Sequence, residues 1–240
     1  MAGTKPTTRV PMDSLRKTAL VAGVFYLLTF VSIPTLALYT RVREADYIVG
    51  AGPDTAVLIG GILEVIVALA GIGTAVALYP VVKRQNEGVA LGFVGARILE
   101  ASMIFVGIAS LLTIVTLRQD GAGADASVTG SALVALYDRT FLLGQSLIPV
   151  VNGLLLGSLM YRSRLVPRVL PMLGLIGAPL LLAAQFGVLF DLWDRTSAFT
   201  AIGALPIAIW EFSLGVYLVV RGFRPEGLAK LDSPALPASA

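Results

Sequence analysis

The chain has 240 residues, of which 56% are hydrophobic and only 14% carry a formal charge, where a soluble domain carries about a quarter charged residues. Its mean hydropathy of +0.85 fits lipid rather than water as the main solvent. With no cysteine and no histidine, disulfides, thiol redox chemistry, thiolate or imidazole metal ligation and Ser-His-Asp catalysis are excluded.

Apolar runs of about 20 residues, the length that crosses a bilayer as a helix, occur in six places: residues 18–38, 56–82, 89–117, 133–160, 169–190 and 201–220. The pattern predicts an all-α integral membrane bundle of six transmembrane helices. Residues 1–17 read as an N-terminal segment, 18–224 as the membrane domain and 225–240, rich in Pro and Ala, as a disordered tail. The first run is longer than a signal-peptide core and lacks a small-x-small cleavage site, so it reads as a retained helix. The stretch 119–131, rich in Gly, Ala, Ser and Asp, reads as a mobile connector.

Lys and Arg side with the termini. Lys5, Arg9, Arg16, Lys17, Lys83, Arg84, Arg162, Arg164, Arg168, Arg221, Arg224 and Lys230 fall on one side, against Arg41, Arg43, Arg118 and Arg195 on the other. By the positive-inside rule both termini are cytoplasmic. The net charge of +3 and pI of about 9.3 are then a topology signal, and nucleic acid is not an expected partner. Membrane lipids are.

Ionisable groups within spans are costly unless paired or facing water. Glu64 lies in the second span, Arg97 and Glu100 in the third, Asp138 and Arg139 near the start of the fourth, and Glu211 in the sixth. Glu64 shares a helix face with Gly60, Gly61, Ala68, Gly71 and Ala75, a small-residue face suited to close helix packing. Arg97 and Glu100, three apart, can pair on one helix. Asp138, Gln145 and Asn152 recur every seven residues as a polar stripe on the fourth span. Helical rise along alternating spans allows several of these groups to meet in one layer. Four acids against two bases leave two carboxylates without a cation, to be held protonated where the dielectric is low. Pro34, Pro149, Pro179 and Pro206 fall inside spans and read as kinks, Pro149 acting on the carbonyl of Gln145. The Gly88–Gly92 and Gly153–Gly157 spacings read as packing within the bundle. The basic segment 161–168 reads as a topology anchor, with anionic lipid binding as the alternative.

Three stretches carry a resemblance: Ala96-Arg97-Ile98-Leu99-Glu100-Ala101; Tyr161-Arg162-Ser163-Arg164 through Pro167-Arg168, followed by Leu170 and Gly174; and Glu211 with Leu214 and Arg221-Gly222. Together they resemble the bacterial membrane family of domain of unknown function 4386, over roughly residues 15–223. The resemblance implies a six-helix membrane protein and brings no established activity. Where many members have a His near the start of the fourth span, this chain has Tyr137-Asp138-Arg139, so no role resting on that His carries over.

Three functions compete. One is binding or transport of a small solute, lipid headgroup or proton at a polar layer of Glu64, Arg97, Glu100, Asp138, Arg139, Gln145, Asn152 and Glu211. Another is a noncatalytic scaffold or partner subunit of a membrane complex, the polar network fixing helix register. The third, an intramembrane enzyme, has the least support: there is no DDxxD-like cluster, GxSxG elbow or Walker A sequence. No cofactor or metal is expected, and Asp191 and Asp194 at an interface are weak ground for one.

Overall fold

The computed structural model describes residues 12–44, 46–50 and 52–232. Among these there is no strand, and six helical segments are long and apolar enough to cross a membrane. The protein is a multi-pass membrane helical bundle. Lys5, Arg9 and residues 233–240 of the expected tail lie outside the described residues.

The first span is broken. Helix α1 (Met12–Leu28) passes into a 3-10 turn at Thr29–Ser32 and resumes after Pro34 as the short α2 (Thr35–Leu38). Pro34 lacks the N–H that an α-helix would give to the Phe30 carbonyl. The hydroxyls of Thr29 and Thr35 instead donate to the carbonyls of Tyr26 (2.6 Å) and Ser32 (2.7 Å). The second and third spans, α3 (Thr55–Val82) and α4 (Glu87–Gln119), are continuous, and the Asn86 side chain caps α4 by accepting the Val89 N–H at 3.0 Å.

The fourth span starts earlier than its apolar run. It comprises α5 (Ser127–Phe141), a π-helical stretch at Leu142–Leu147, and α6 (Ile148–Ser163). The expected connector at 119–131 thus gives way to helix from Ser127. The loop between the first and second spans explains this: Tyr47 and Ile48 pack in one cluster with Ala126 and Tyr137. A Cβ on Gly130 would meet Ile48 Cδ1 at 2.4 Å, so this loop sits directly on the helix. The last two spans are α7 (Val169–Leu189) and α8 (Ala198–Val220). Pro179 and Pro206 lie inside them without ending either helix.

Each span packs mainly on its neighbours in sequence, and the first packs on the sixth, so the six close into a ring. Small residues draw that closing seam tight. A Cβ on Gly23 would lie 2.7 Å from the Gly215 carbonyl oxygen. At the end of the seam, the Arg16 guanidinium donates to the carbonyls of Leu218 (3.1 Å) and Val219 (2.5 Å), supplying a cation to the C-terminus of α8. The start of the first span and the end of the sixth therefore share one face, called here the terminal face.

The expected disordered tail needs correction over its described part. Residues Pro225–Asp232 form helix α9, with Leu228 buried in the same cluster as Leu165, Val166 and Phe223. Polar contacts fix it: Arg224 N–H to the Leu165 carbonyl (2.8 Å), Lys230 to the Arg162 carbonyl (2.5 Å) and Asp232 to Arg84 (2.7 Å). The basic segment 161–168 is thus the bed of a helix. Composition hid this because only Leu228 and its partly buried neighbour Leu231 carry the apolar side of so short an element.

The seam makes a direct prediction. Gly23→Ala should lower stability by about 1–3 kcal/mol, the usual cost of forcing a methyl into a packed contact, read as a lower midpoint of thermal unfolding in detergent. An unchanged midpoint would mean that the first and sixth spans do not meet there.

Candidate functional site

Arg97 is the centre of the buried polar layer. It projects from the middle of α4 and is 3% exposed. One amino group donates to Glu100 at 3.0 Å, one turn along the same helix, and the other crosses to Glu211 on α8 at 2.7 Å. Asn152 of α6 donates to the same Glu100 oxygen at 2.8 Å. The guanidinium lies 5.5 Å from the ring centre of Tyr26 on α1 and 5.7 Å from that of Phe93. Three of the six spans therefore meet at the Arg97 side chain, and a fourth joins through Glu100. The structure brings Arg97, Glu100, Asn152 and Glu211 together in one layer.

The remaining acids lie elsewhere. Glu64 on α3 is 1% exposed and accepts a hydrogen bond from the Tyr137 hydroxyl at 2.7 Å, with no cation paired to it among the described residues. Its second oxygen has no partner. Asp138 stands in α5, in the first half of the fourth span, where Arg43 of the first loop grips both its oxygens at 2.8 and 2.7 Å. Arg195, from the loop between α7 and α8, approaches at 3.4 Å. Arg139 is exposed and takes no part in either cluster. The counter-charges for Asp138 come from loops, not from its sequence neighbour. One acid, Glu64, is thus left without a cation, rather than two.

A cavity of about 530 Å³ occupies the half of the ring away from the terminal face, within the range of about 300–1,000 Å³ of small-molecule sites. Its floor carries Arg97, Glu100 and Glu211, and its upper rim carries Arg195, Thr196 and Ser197. Gln145 and Gln185 line it between. The π-helical stretch holds Gln145 and Ser146 on the wall, and π-turns within α-helices often mark functional positions. Pro149, whose missing N–H loosens the preceding turn, follows directly. The polar stripe thus serves three places: Asp138 the rim, Gln145 the wall, Asn152 the floor.

Toward the terminal face the ring is solid. Tyr26, Phe93, Leu156, Met160 and Trp210 are fully buried in one cluster, and a Cβ on Gly174 would lie 2.6 Å from the Trp210 ring. The cavity lining includes no residue from the terminal-face loops. The pocket is blind at its charged end and reaches the opposite face.

A family model described as Domain of unknown function (DUF4386) matches residues 21–222, well over half of the chain. The chain belongs to this family. No curated protein and no solved structure matches it. Every residue of the floor, wall and rim falls inside the stretch that matches the DUF4386 model.

Sequence reasoning missed Gln185, 3% exposed with its Oε1 lacking a partner, because a lone amide in an apolar span carries no pattern. It also missed Tyr26 and Tyr137, whose hydroxyls are invisible to charge counting. Arg43 and Arg195 entered only as topology charges. No group of three or more potential metal-ligating side chains occurs among the described residues.

The rim is reinforced by a second clamp. Asp54 accepts hydrogen bonds from Tyr47 (2.7 Å), Gln119 (3.0 Å) and Arg118, and Arg118 also donates to the Gly50 and Gly52 carbonyls at 2.7 Å each. Burial works against the Asp54 carboxylate, but these donors outweigh it and hold its pKa below the usual value. Burial, together with the hydrogen bond to Asp54, pushes the Tyr47 hydroxyl up to about 12. At the rim itself, burial and the charge of Arg43 lower the pKa of Arg195.

Two predictions test this network. Replacing Arg97 with Met strands two buried carboxylates and should cost about 3–5 kcal/mol, whereas the triple change Arg97→Met, Glu100→Gln, Glu211→Gln should recover part of the loss. Thermal unfolding in detergent measures both, and a wild-type midpoint in the single variant would contradict the pairing. For Asp54 the folded pKa lies below the unfolded one. Its contribution is therefore complete above about pH 3.9 and is lost as pH falls through the lower folded value. Asp54→Asn should remove that portion of the acid-induced loss of stability, and an unchanged acid profile would argue against the clamp.

Proposed function

We propose that this protein is a membrane binding protein of transporter type, which takes a small solute into the ring from the face opposite its termini. The observation that carries this reading is the cavity of about 530 Å³ ending on an ionic floor. A network serving only to fix helix register has no need of an adjoining void. Such a void forfeits packing contacts on all its walls, yet buried amide oxygen at Gln185 is left unpaired beside it. The sidedness of Lys and Arg supports cytoplasmic termini and, with them, an open end on the outside of a bacterial inner membrane. The packed cluster around Trp210 then acts as the closed inner barrier, and passage requires that barrier to part while the rim closes. Arg43, Asp138 and Arg195 join three outer segments and supply the contacts such a closure would rearrange.

The absence of native cysteine makes the test direct. Ala208 lines the cavity one turn from Glu211, while its neighbour Ile209 is 45% exposed on the lipid side. A single cysteine at 208 should react with a charged, membrane-impermeant thiol reagent applied to the outside of intact cells, and one at 209 should not. Equal inertness of the two would show that the void is not open to water. The paired network would then be structural, as a scaffold subunit requires.

A further inference from the structure

We infer that the cavity receives a small organic amine, whose ammonium group is held at the floor by Glu211 and Glu100. This deepens the proposed binding role and rests on it. Two observations converge. First, the floor has one guanidinium against two carboxylates, so a bound monocation balances it. Second, its unspent atoms are mostly acceptors. Both protein bonds to Glu100 use one oxygen and the bond to Glu211 uses one oxygen, leaving the other oxygen of each without a partner among the described residues. An ammonium offers three N–H donors to such a set, and hydrogen bonds between ionised groups are the stronger kind.

The rest of the lining fits a compact apolar body. Val67, Ala101, Ile104, Leu181, Ala204 and Ile207 face the void between floor and rim. The rim has the opposite sign to the floor, with Arg43 and Arg195 both on Asp138. A cation is therefore repelled at the mouth and drawn to the far end, which orients the molecule ammonium first. An anion of the same size meets the reverse order, attraction at the mouth and two carboxylates at the bottom.

The experiment uses the full chain in lipid nanodiscs and three probes of similar shape: phenethylammonium, 2-phenylethanol and 3-phenylpropionate. Calorimetric titration should give the ammonium probe an affinity at least about ten-fold above the alcohol, the scale of a charge-assisted hydrogen bond, with the carboxylate probe weakest. Glu211→Gln should weaken the ammonium probe toward the alcohol, whereas Gln185→Leu, which changes the wall above the floor, should leave its affinity unchanged. Equal binding of alcohol and ammonium, or preference for the carboxylate, overturns the inference and leaves the cavity reading intact. So does failure of all three probes while a cysteine at 208 is reactive. An unreactive cysteine at 208 instead removes the cavity reading itself.

Discussion

A guanidinium in the middle of a membrane protein must be neutralised within reach of its own side chain, and the arrangement around Arg97 follows from that requirement. Its charge cannot be left to lipid, and an unpaired ion inside a protein costs several kcal/mol even after relaxation. Glu100, one turn away, supplies one partner cheaply because helical spacing brings it there in any case. Glu211 must come from another helix. Bringing α8 within 2.7 Å of α4's arginine ties opposite parts of the ring and fixes the rotation of both helices about their axes. Asn152 then sets the fourth span against the same carboxylate, and Tyr26 covers the guanidinium from the first.

On the terminal side of that layer and on the other side the ring is built differently. In the terminal half, glycines allow close approach: Gly23 meets Gly215, and Gly174 meets the Trp210 ring. Apolar side chains fill the remaining space to nothing exposed at Tyr26, Phe93 or Trp210. In the other half the first span loses its α-helical course at Thr29 and the fourth at Leu142. Both irregular stretches contribute to the cavity wall. Irregular backbone at membrane depth is tolerated where it is buried in protein or borders water, and this is where both breaks occur. The cavity exists because two helices fail to continue straight past the ionic layer.

The extent to which this could be read from sequence follows the range of each signal. Six spans were legible because each is a long, continuous apolar run, and five of them hold their expected limits within a few residues. The Arg97–Glu100 pair was legible because it is set by spacing within one helix. Convergence of Glu211 and Asn152 was a geometric expectation that required the ring to close as it does. The separation of Glu64 and Asp138 from that layer was not legible, since depth along a helix does not say which neighbour a side chain faces. Loop arginines carry no depth signal at all, so Arg43 and Arg195 were indistinguishable from topology charges. Helix α9 and the first turns of α5 depend on cover from distant residues, Leu165 and Val166 in one case and Ile48 in the other.

Glu64 shows why two acidic sites inside one ring need not do the same work. Around Arg97 the carboxylates outnumber the cation and border an open cavity, so an incoming cation changes the balance of the whole layer. Glu64 sits one helix face away, sealed by Tyr137 and approached by Tyr39 and Gln145. A Cβ on Gly60 would lie 2.3 Å from the Tyr39 ring, so the tyrosine reaches this position only across a glycine. Gln145 borders both Glu64 and the cavity. The π-helical stretch that carries Gln145 is also the least regular part of the fourth span, between the Asp138 clamp at the rim and Asn152 at the floor. Gln145 is thus the residue of the fourth span that stands between the ionic layer, the Asp138 clamp and Glu64.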